Sequence, residues 1–592
     1  MTRHLRRRDE AGYAAILVAL LSATVFLGVS AIGVDTARWY VEGERVQKAA
    51  DAAALAGVTH MPGDLGAAKA TALAHASGNG YSNDATTTVA VAQGPRSSQL
   101  RVTISSTIRN SFGASFGVPT ATISRTSVAD YTAPALMGSP CNTFGNEPPS
   151  QPGAAQPVGS ALPTSPFPNC TSTPQFWGVI EGPSTNKRDG DRYMTTPCSS
   201  GVYGCSGGTN DETRPEGYFF AVHVEPEAVN TPIDVQIYDP AYIFTGASGG
   251  TFCTLLPLPG LIANNLNPYT TTDGKARYGA GNSIYCSGDY LGPTSGEVPD
   301  TSFVLRQTTS TADPMKGAVI PGCTKQFRGV NKLVPAAQLV LELTGTAPTY
   351  NRELARIFHQ WVSLCTFTPT VAGDYFLQVR TNVSLGGTPS PNTNGHPPLV
   401  YSGNAAAAAP NGNTLNGRGV NSFSLRAVPA VAALRNKVSV AGFERMPMFQ
   451  NTSGSTARFN LIRALPSTAG QFIAFDFYDV ADGSTLPGSV TVFPPADATG
   501  SITGGGGGIP GCRAALDNAP YTPVSGCSVS VQNSTHNGQL QHMIIPIPAD
   551  YNCNPTTLGG CWFEVRVTFA GIVTDITVWD ATIGGDPVRL IE

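Results

Sequence analysis

The first strong pattern is apolar and unbroken. Ala14 to Val34 is a run of 21 residues without a charge, long enough as a helix to cross a hydrocarbon core of roughly 30 Å. Arg3, His4, Arg6, Arg7 and Arg8 precede it, and scattered, sign-balanced charges follow. The positive-inside rule therefore predicts a cytoplasmic tail over 1–13, a transmembrane helix over 14–34 and everything later outside. A signal peptide cut after Val29-Ser30-Ala31 is the competing reading, but the run is longer than a signal core usually is. Beyond the span the pattern becomes helical with small side chains. In "GVDTARWYVEGERVQKAADAAALAG", Trp39, Gly43, Val46, Ala50, Ala53 and Gly57 recur at spacings of 4, 3, 4, 3 and 4, a heptad-like stripe. Glu44 and Lys48 pair at i,i+4 on another face, and Ala15, Ala19 and Ala23 form a small-residue row in the span. Another backbone can approach such a stripe closely. Its occupant is either the next domain of the same chain or another molecule.

Ala67 to Ser77 predicts a second helix, ended by Gly78-Asn79-Gly80. "TTTVAVAQ" and "SQLRVTIS" read as strands around a Gly94-Pro95 turn, with Leu100, Val102 and Ile104 alternating. A short segment with Phe112 and Phe116 follows, then a last strand, "TATISRTSVADY". Residues 35–133 are thus a stalk helix and a small α+β module, the plan of a pilin-like subunit. Residues 134–175 are rich in Pro, Ser, Gly and Ala and read as a semi-rigid spacer, with Cys141 and Cys170 inside it.

The outer part of the chain repeats itself. "YFFAVHVEPEAVNTPIDVQIYDPA" from Tyr218 matches "RFNLIRALPSTAGQFIAFDFYDVA" from Arg458 at an offset of 240, and Tyr238-Asp239 meets Tyr478-Asp479 without a gap. Each copy ends in a similar strand, "YFLQVRTN" from Tyr375 and "WFEVRVTF" from Trp562. Period-2 alternation bounded by Gly, Pro and Asn predicts β-sandwiches. The fold class is therefore mainly β: the anchor and pilin-like module, then two β-sandwich domains over 176–430 and 431–592 related by internal duplication. The first has an insertion between about 247 and 355. "TPTVAGDYFLQV" is similar to the closing strand of jelly-roll modules found beside bacterial secreted enzymes.

Composition adds an address. All 12 cysteines lie beyond the anchor without twin CxxC zinc spacing, which favours disulfides and an oxidising exterior. Short loops predict Cys198–Cys205, Cys512–Cys527 and Cys553–Cys561. The remaining six, taken in order, give Cys141–Cys170, Cys253–Cys286 and Cys323–Cys365, one of 15 connectivities. A net charge of −4 argues against nucleic acid as partner. The 28 Arg against 8 Lys accord with a high-GC bacterial source.

The segment "RRRDEAGYAAILVALLSATVFLGVSAIGVDTARWYVEGERVQKAADAAALAG" resembles the N-terminal module of TadG-like proteins of the Tad/Flp (tight adherence) pilus assembly system. The residues that carry it are the basic tail, Gly12, the single apolar span, Asp35, Asp51 and Ala52 to Ala54. The resemblance covers about the first 60 residues and extends weakly to about 130. It implies Tad/Flp assembly components or pseudopilins as partners. Related TadE and TadF pseudopilins are cut after a Gly with a Glu five residues on. Here Gly12 is followed at that place by Leu17. The von Willebrand type A metal motif that many TadG proteins carry has no match, since Asp482-Gly-Ser-Thr-Leu fails at its last position.

Candidate chemistry is sparse. The repeated Tyr-Asp reads first as a strand-ending Asx-turn. The functional alternative is a calcium site of Asp239 or Asp479 with Asp482 or with Asp189 and Asp191. Gly246-Ala-Ser248-Gly-Gly250 satisfies GxSxG, with His359 downstream, but no helix follows as the nucleophile elbow requires. With 65 glycines a chance match is expected. The sequence thus predicts a non-enzymatic, cofactor-free, single-pass protein of the cell membrane that serves pilus assembly or anchoring. The alternative is a surface adhesin whose sandwiches bind glycan or another surface.

Overall fold

The computed structural model describes residues 6–61, 65–94, 99–131, 135–147, 176–242, 299–309, 313–327, 361–381, 400–401, 417–453, 456–482, 486–502, 508–556, 558–570, 572–584 and 588–590. The described chain falls into two compact units. One comprises Met1–Ala133 with Asp586–Glu592, the other Pro134–Thr309 with Asp313–Gly585.

In the first unit, helix α1 runs from Arg6 to Val58 in one piece. Its sequence has no proline, so no i→i−4 bond is lost where the apolar run gives way to charges. Among the described residues it is the one helix long and apolar enough to cross a membrane. Helix α2, Leu65–Gly78, ends in a Schellman cap. Gly80 takes φ +91°, and the Tyr81 amide donates back to the Ala76 carbonyl at 2.9 Å. Strands β1 (Thr87–Gln93), β2 (Gln99–Arg109) and β3 (Thr120–Tyr131) form an antiparallel sheet in chain order. Val588–Leu590 adds a strand beside β3, pairing with Ala129, Asp130 and Tyr131. The predicted alternation holds, with Leu100, Val102 and Ile104 fully buried.

The second unit contains the predicted duplication, and it reaches the strand pairing. In the first copy, Tyr218–Val224 pairs with Gly373–Thr381, which pairs with Thr301–Arg306, which pairs with Val319–Phe327. Ile233–Tyr238 is flanked by Trp361–Phe367 and Val420–Pro429. The second copy repeats each pairing. Thr456–Arg463 joins Trp562–Thr568, then Gly488–Phe493, then Ser528–Val531. Phe472–Tyr478 lies between Leu540–Pro546 and Ile572–Ile583. Even the turns coincide at the same offset. Short 3₁₀ turns start at Pro226 and Pro466, and left-handed backbone recurs at Asn230 and Gly470 and at Asp239 and Asp479.

Two expected boundaries are corrected. The copies are not separate domains over 176–430 and 431–592. Phe176–Glu181 pairs with Val420–Pro429 of the first copy and with Arg445–Ser453, and the latter runs beside Ile572–Ile583 of the second copy over nine positions. One sheet therefore passes through both copies, and one core lies along it. Ring contacts step from Phe144 to Phe176 (5.2 Å), Phe459 (6.4 Å) and Trp579 (4.9 Å). Edge strands seek partners, and here Phe176–Glu181 covers the first copy's edge and Arg445–Ser453 the second's, the two covering strands pairing with each other. Likewise, 135–147 is not spacer. Leu136–Met137 pairs with Val438–Phe443 and Thr143–Phe144 with Val420–Pro429, and Phe144 is fully buried. The rest of the expected spacer, 148–175, lies outside the described residues.

Candidate functional site

The small-residue stripe of α1 faces the first unit's own sheet and second helix. Val46, Ala50 and Ala53 are fully buried, with Ala54 and Val58 beside them. They pack in one cluster with Ala68, Ala72 and Ala76 of α2 and with Leu100, Val102 and Ile104 of β2. Gly57 is buried, and the room for a side chain there is already taken. A Cβ would stand 2.6 Å from Leu100 Cδ2 and 2.7 Å from the Ala68 carbonyl oxygen. Gly43 is also buried, and its Cβ would meet Arg125 Nη2 at 2.9 Å. Of the two occupants open in the sequence, the chain's own module takes this face. The stripe Trp39–Gly43–Val46–Ala50–Ala53–Gly57 is an internal seam, because the sheet and α2 supply the apolar area that covers it.

Polar contacts fix the register of this seam. The Trp39 Nε1–H donates to Asn110 Oδ1 (2.8 Å), while Glu42 Oε1 accepts from the Ser106 hydroxyl (2.7 Å) and the Tyr81 hydroxyl (3.2 Å). Burial and the Glu42 charge push the Tyr81 hydroxyl up to about 12. Asn110, just past β2, thus lies by 39, 106 by 42 and 100 by 57, so β2 runs antiparallel to α1. The β2–β3 turn, 110–119, is accordingly brought back to where the apolar run ends.

Asp35, one residue past that run, holds the turn. Its Oδ1 accepts from the Ser111 amide (2.7 Å), and its Oδ2 accepts from Phe112 (3.0 Å) and Gly113 (2.8 Å). Desolvation alone would raise its pKa, but the three amide donors outweigh it and hold the carboxyl below its usual value. Arg38 also donates to the Ser111 hydroxyl. The turn closes on itself through Asn110 N to Pro119 O (2.9 Å) and Val118 N to Gly113 O (2.9 Å). Asp51, the other acidic residue of the resemblance, accepts from Gln47 within the helix (2.8 Å).

The weaker candidates resolve into structural roles or fall outside the described residues. Asp239 and Asp479 are buried strand-ending residues with φ of 56° and 62°, a left-handed backbone that Asp tolerates. Asp479 accepts from the Gly538 amide and Asp482 from the Asn537 side chain. Burial pushes Asp479 well up and Asp482 up to about 6. Asp191 accepts from the amides of Glu181, Tyr193 and Met194 and from the Tyr218 hydroxyl. Among the described residues no group of three or more His, Cys, Asp or Glu is placed to hold a metal ion. The bonds Cys198–Cys205, Cys512–Cys527, Cys553–Cys561 and Cys323–Cys365 are all present. Cys141 is disulfide-bonded, while Cys170, Cys253 and Cys286 lie outside the described residues, as do Gly246–Gly250 and His359.

Sequence reasoning missed what Asp35 does and did not single out the turn it holds. The signal was present in part, as an acidic residue directly beyond an apolar span. Its partners, 76 to 78 residues away, could not be read from spacing.

Residues 12–68 match the family model described as putative Flp pilus-assembly TadE/G-like. This segment holds the apolar run, Asp35, the whole stripe and the start of α2. A search of curated proteins finds no match to the chain.

Proposed function

We propose that this chain is a single-pass protein of the cell membrane, with its N-terminus cytoplasmic and its bulk outside, that serves assembly or anchoring of Tad/Flp-type pili without catalysis or a cofactor. One observation carries the reading. A helix that exposes Tyr13, Ile16, Leu17, Leu21, Val25, Phe26, Val29, Ile32 and Val34 among its large apolar side chains continues without a break into a pilus-assembly-type module. A helix apolar all round needs cover, and a bilayer supplies it. The partners on this reading are pilus assembly components or pseudopilins, not nucleic acid. The adhesin alternative asks for a cluster of exposed aromatics on a sandwich face. Among the described residues of the second unit, Tyr521 alone is an exposed large aromatic.

The test is an in-frame deletion complemented with the full chain, with surface pili counted by electron microscopy. Loss of pili restored by complementation is expected, and unchanged pilus number and length would overturn the reading. N-terminal sequencing of the membrane-extracted protein checks the anchor. A mature chain starting near Ile32 would contradict a retained span, and one starting at Tyr13 would indicate pilin-like processing.

A further inference from the structure

We infer that the β2–β3 turn is a second membrane contact, whose apolar side chains enter the headgroup boundary of the leaflet from which α1 emerges. The inference rests on the anchor reading above. Phe112, Phe116 and Val118 are 47%, 72% and 51% exposed, grouped within seven residues of one closed turn. Nothing in the sheet below asks for apolar residues here, since the core of this unit lies further along β2, at Leu100, Val102 and Ile104. The turn is not free to face elsewhere. Three backbone amides tie it to Asp35, directly beyond the last residue of the apolar run, and Trp39–Asn110 adds a fourth tie. The exposed apolar surface of α1 and that of the turn are therefore neighbours at one level along the helix axis.

Charge fits the same occupant. Arg38 and Arg109 flank the turn and are exposed, and a guanidinium can bond the phosphate of a lipid headgroup. The carboxylate at that level, Asp35, is turned inward onto amide donors, so it does not meet the lipid phosphates. Aromatic side chains favour this interfacial zone, and Tyr40, 71% exposed on the helix, belongs to it as well. The opposite end of the unit makes the comparison. α2 packs on Gly57, about 33 Å along the helix from Asp35 at 1.5 Å per residue.

The experiment uses the full chain in vesicles of phosphatidylethanolamine and phosphatidylglycerol. A nitroxide is placed on a single introduced cysteine at Ser115 (S115C), at Val25 within the span (V25C) or at Leu73 on α2 (L73C). Collision with oxygen, which concentrates in lipid, is compared with collision with a water-soluble nickel chelate. The label at 115 should prefer oxygen, on the side of the Val25 label, while that at 73 prefers nickel. Adding Phe112→Ser and Phe116→Ser should shift the 115 label toward the behaviour at 73. A label at 115 that prefers nickel while Val25 prefers oxygen would overturn this inference and leave the anchor standing. If Val25 also prefers nickel, the anchor reading fails and this inference with it. Shielding of 115 from both reagents would mean that a second copy covers the turn, which also overturns a lipid contact.

Discussion

The sharpest test of the α1 seam replaces one glycine by alanine. At Gly57 the new methyl would stand 2.6 Å from Leu100 Cδ2, 2.7 Å from the Ala68 carbonyl oxygen and 2.9 Å from Ala72 Cβ. Leu100, Ala68 and Ala72 are fully buried, and one of the three clashing atoms is backbone, so relief requires α2 to move. Overpacking of this kind costs about 1–3 kcal/mol. Against it stands the helix propensity of Ala over Gly, roughly 0.5–1 kcal/mol, at its lower end here because Gly57 lies in the last turn of α1. The net expectation is a loss of about 0.5–2.5 kcal/mol, or a roughly two- to seventyfold rise in local opening. Gly43→Ala is the matched control. Its methyl meets the far end of the flexible Arg125 side chain at 2.9 Å and little else, so propensity should prevail and opening should stay level or fall. Amide hydrogen exchange of β2 peptides in the full-length protein reads both variants, with the Trp562–Thr568 strand as an internal reference. A Gly57→Ala protein as protected as the parent, or a Gly43→Ala protein as exposed as Gly57→Ala, would refute the packing account.

Ala50→Leu and Ala53→Leu should each destabilise the first unit by about 1–3 kcal/mol, seen as faster proteolysis of α1; unchanged digestion would show that the seam is loose. Asp35→Asn should speed exchange at Ser111, Phe112 and Gly113 relative to the parent. Because the folded carboxyl lies below its ordinary value, its contribution is present above roughly pH 3.9 and is lost as pH falls through the lowered value. Acid should therefore reproduce the variant's behaviour in the parent, and equal protection in parent and variant at neutral pH would discard the tie. His223 works in the opposite sense. Burial opposes its charge, but the hydrogen bond to Asp374 (2.6 Å) and the Glu225 carboxylate 3.7 Å away prevail and hold it up to about 9. That stabilisation, about 1–3 kcal/mol, is complete below about pH 6.5 and lost as pH rises through 9; a His223→Gln protein should lack the pH dependence in unfolding of the Tyr218–Val224 strand. Opening Cys323–Cys365, which joins the two sheets of the first copy across 42 residues, should cost about 3–4 kcal/mol, measured by thermal unfolding of the Cys→Ala pair.

Much of this was legible because the signals are local. An uncharged run, an alanine stripe and strands of period 2 are each defined by their own residues. The duplication was legible because Tyr-Asp recurs at the same offset as the preceding proline, and both motifs have a fixed backbone role. What could not be read is who stands beside whom. "FWGVIE" at 176–181 has no alternation and is buried on both faces, a pattern that marks a central strand. Nothing in it says that its neighbours come from different copies, so the two copies looked like two domains. The 135–147 segment, broken by Gly138, Pro140 and Gly145, carries too little apolar periodicity to betray two short buried strands. At the candidate site the helix face was legible, while its occupant and the tie from Asp35 depend on contacts closed across some 75 residues.

The strand Val588–Leu590 has a further consequence, a mechanical one. It pairs with the end of β3, so the second unit is spliced into the first, and both connections leave from the same end of the sheet, beside Gly57 rather than Asp35. Tension arriving through either connection pulls the strands lengthwise along α1. The seam is then loaded in shear, with its buried contacts and the Asp35 tie resisting together instead of parting one at a time. On the anchor reading proposed above, a module joined in this way to α1 is a clamp against a pull on the second unit.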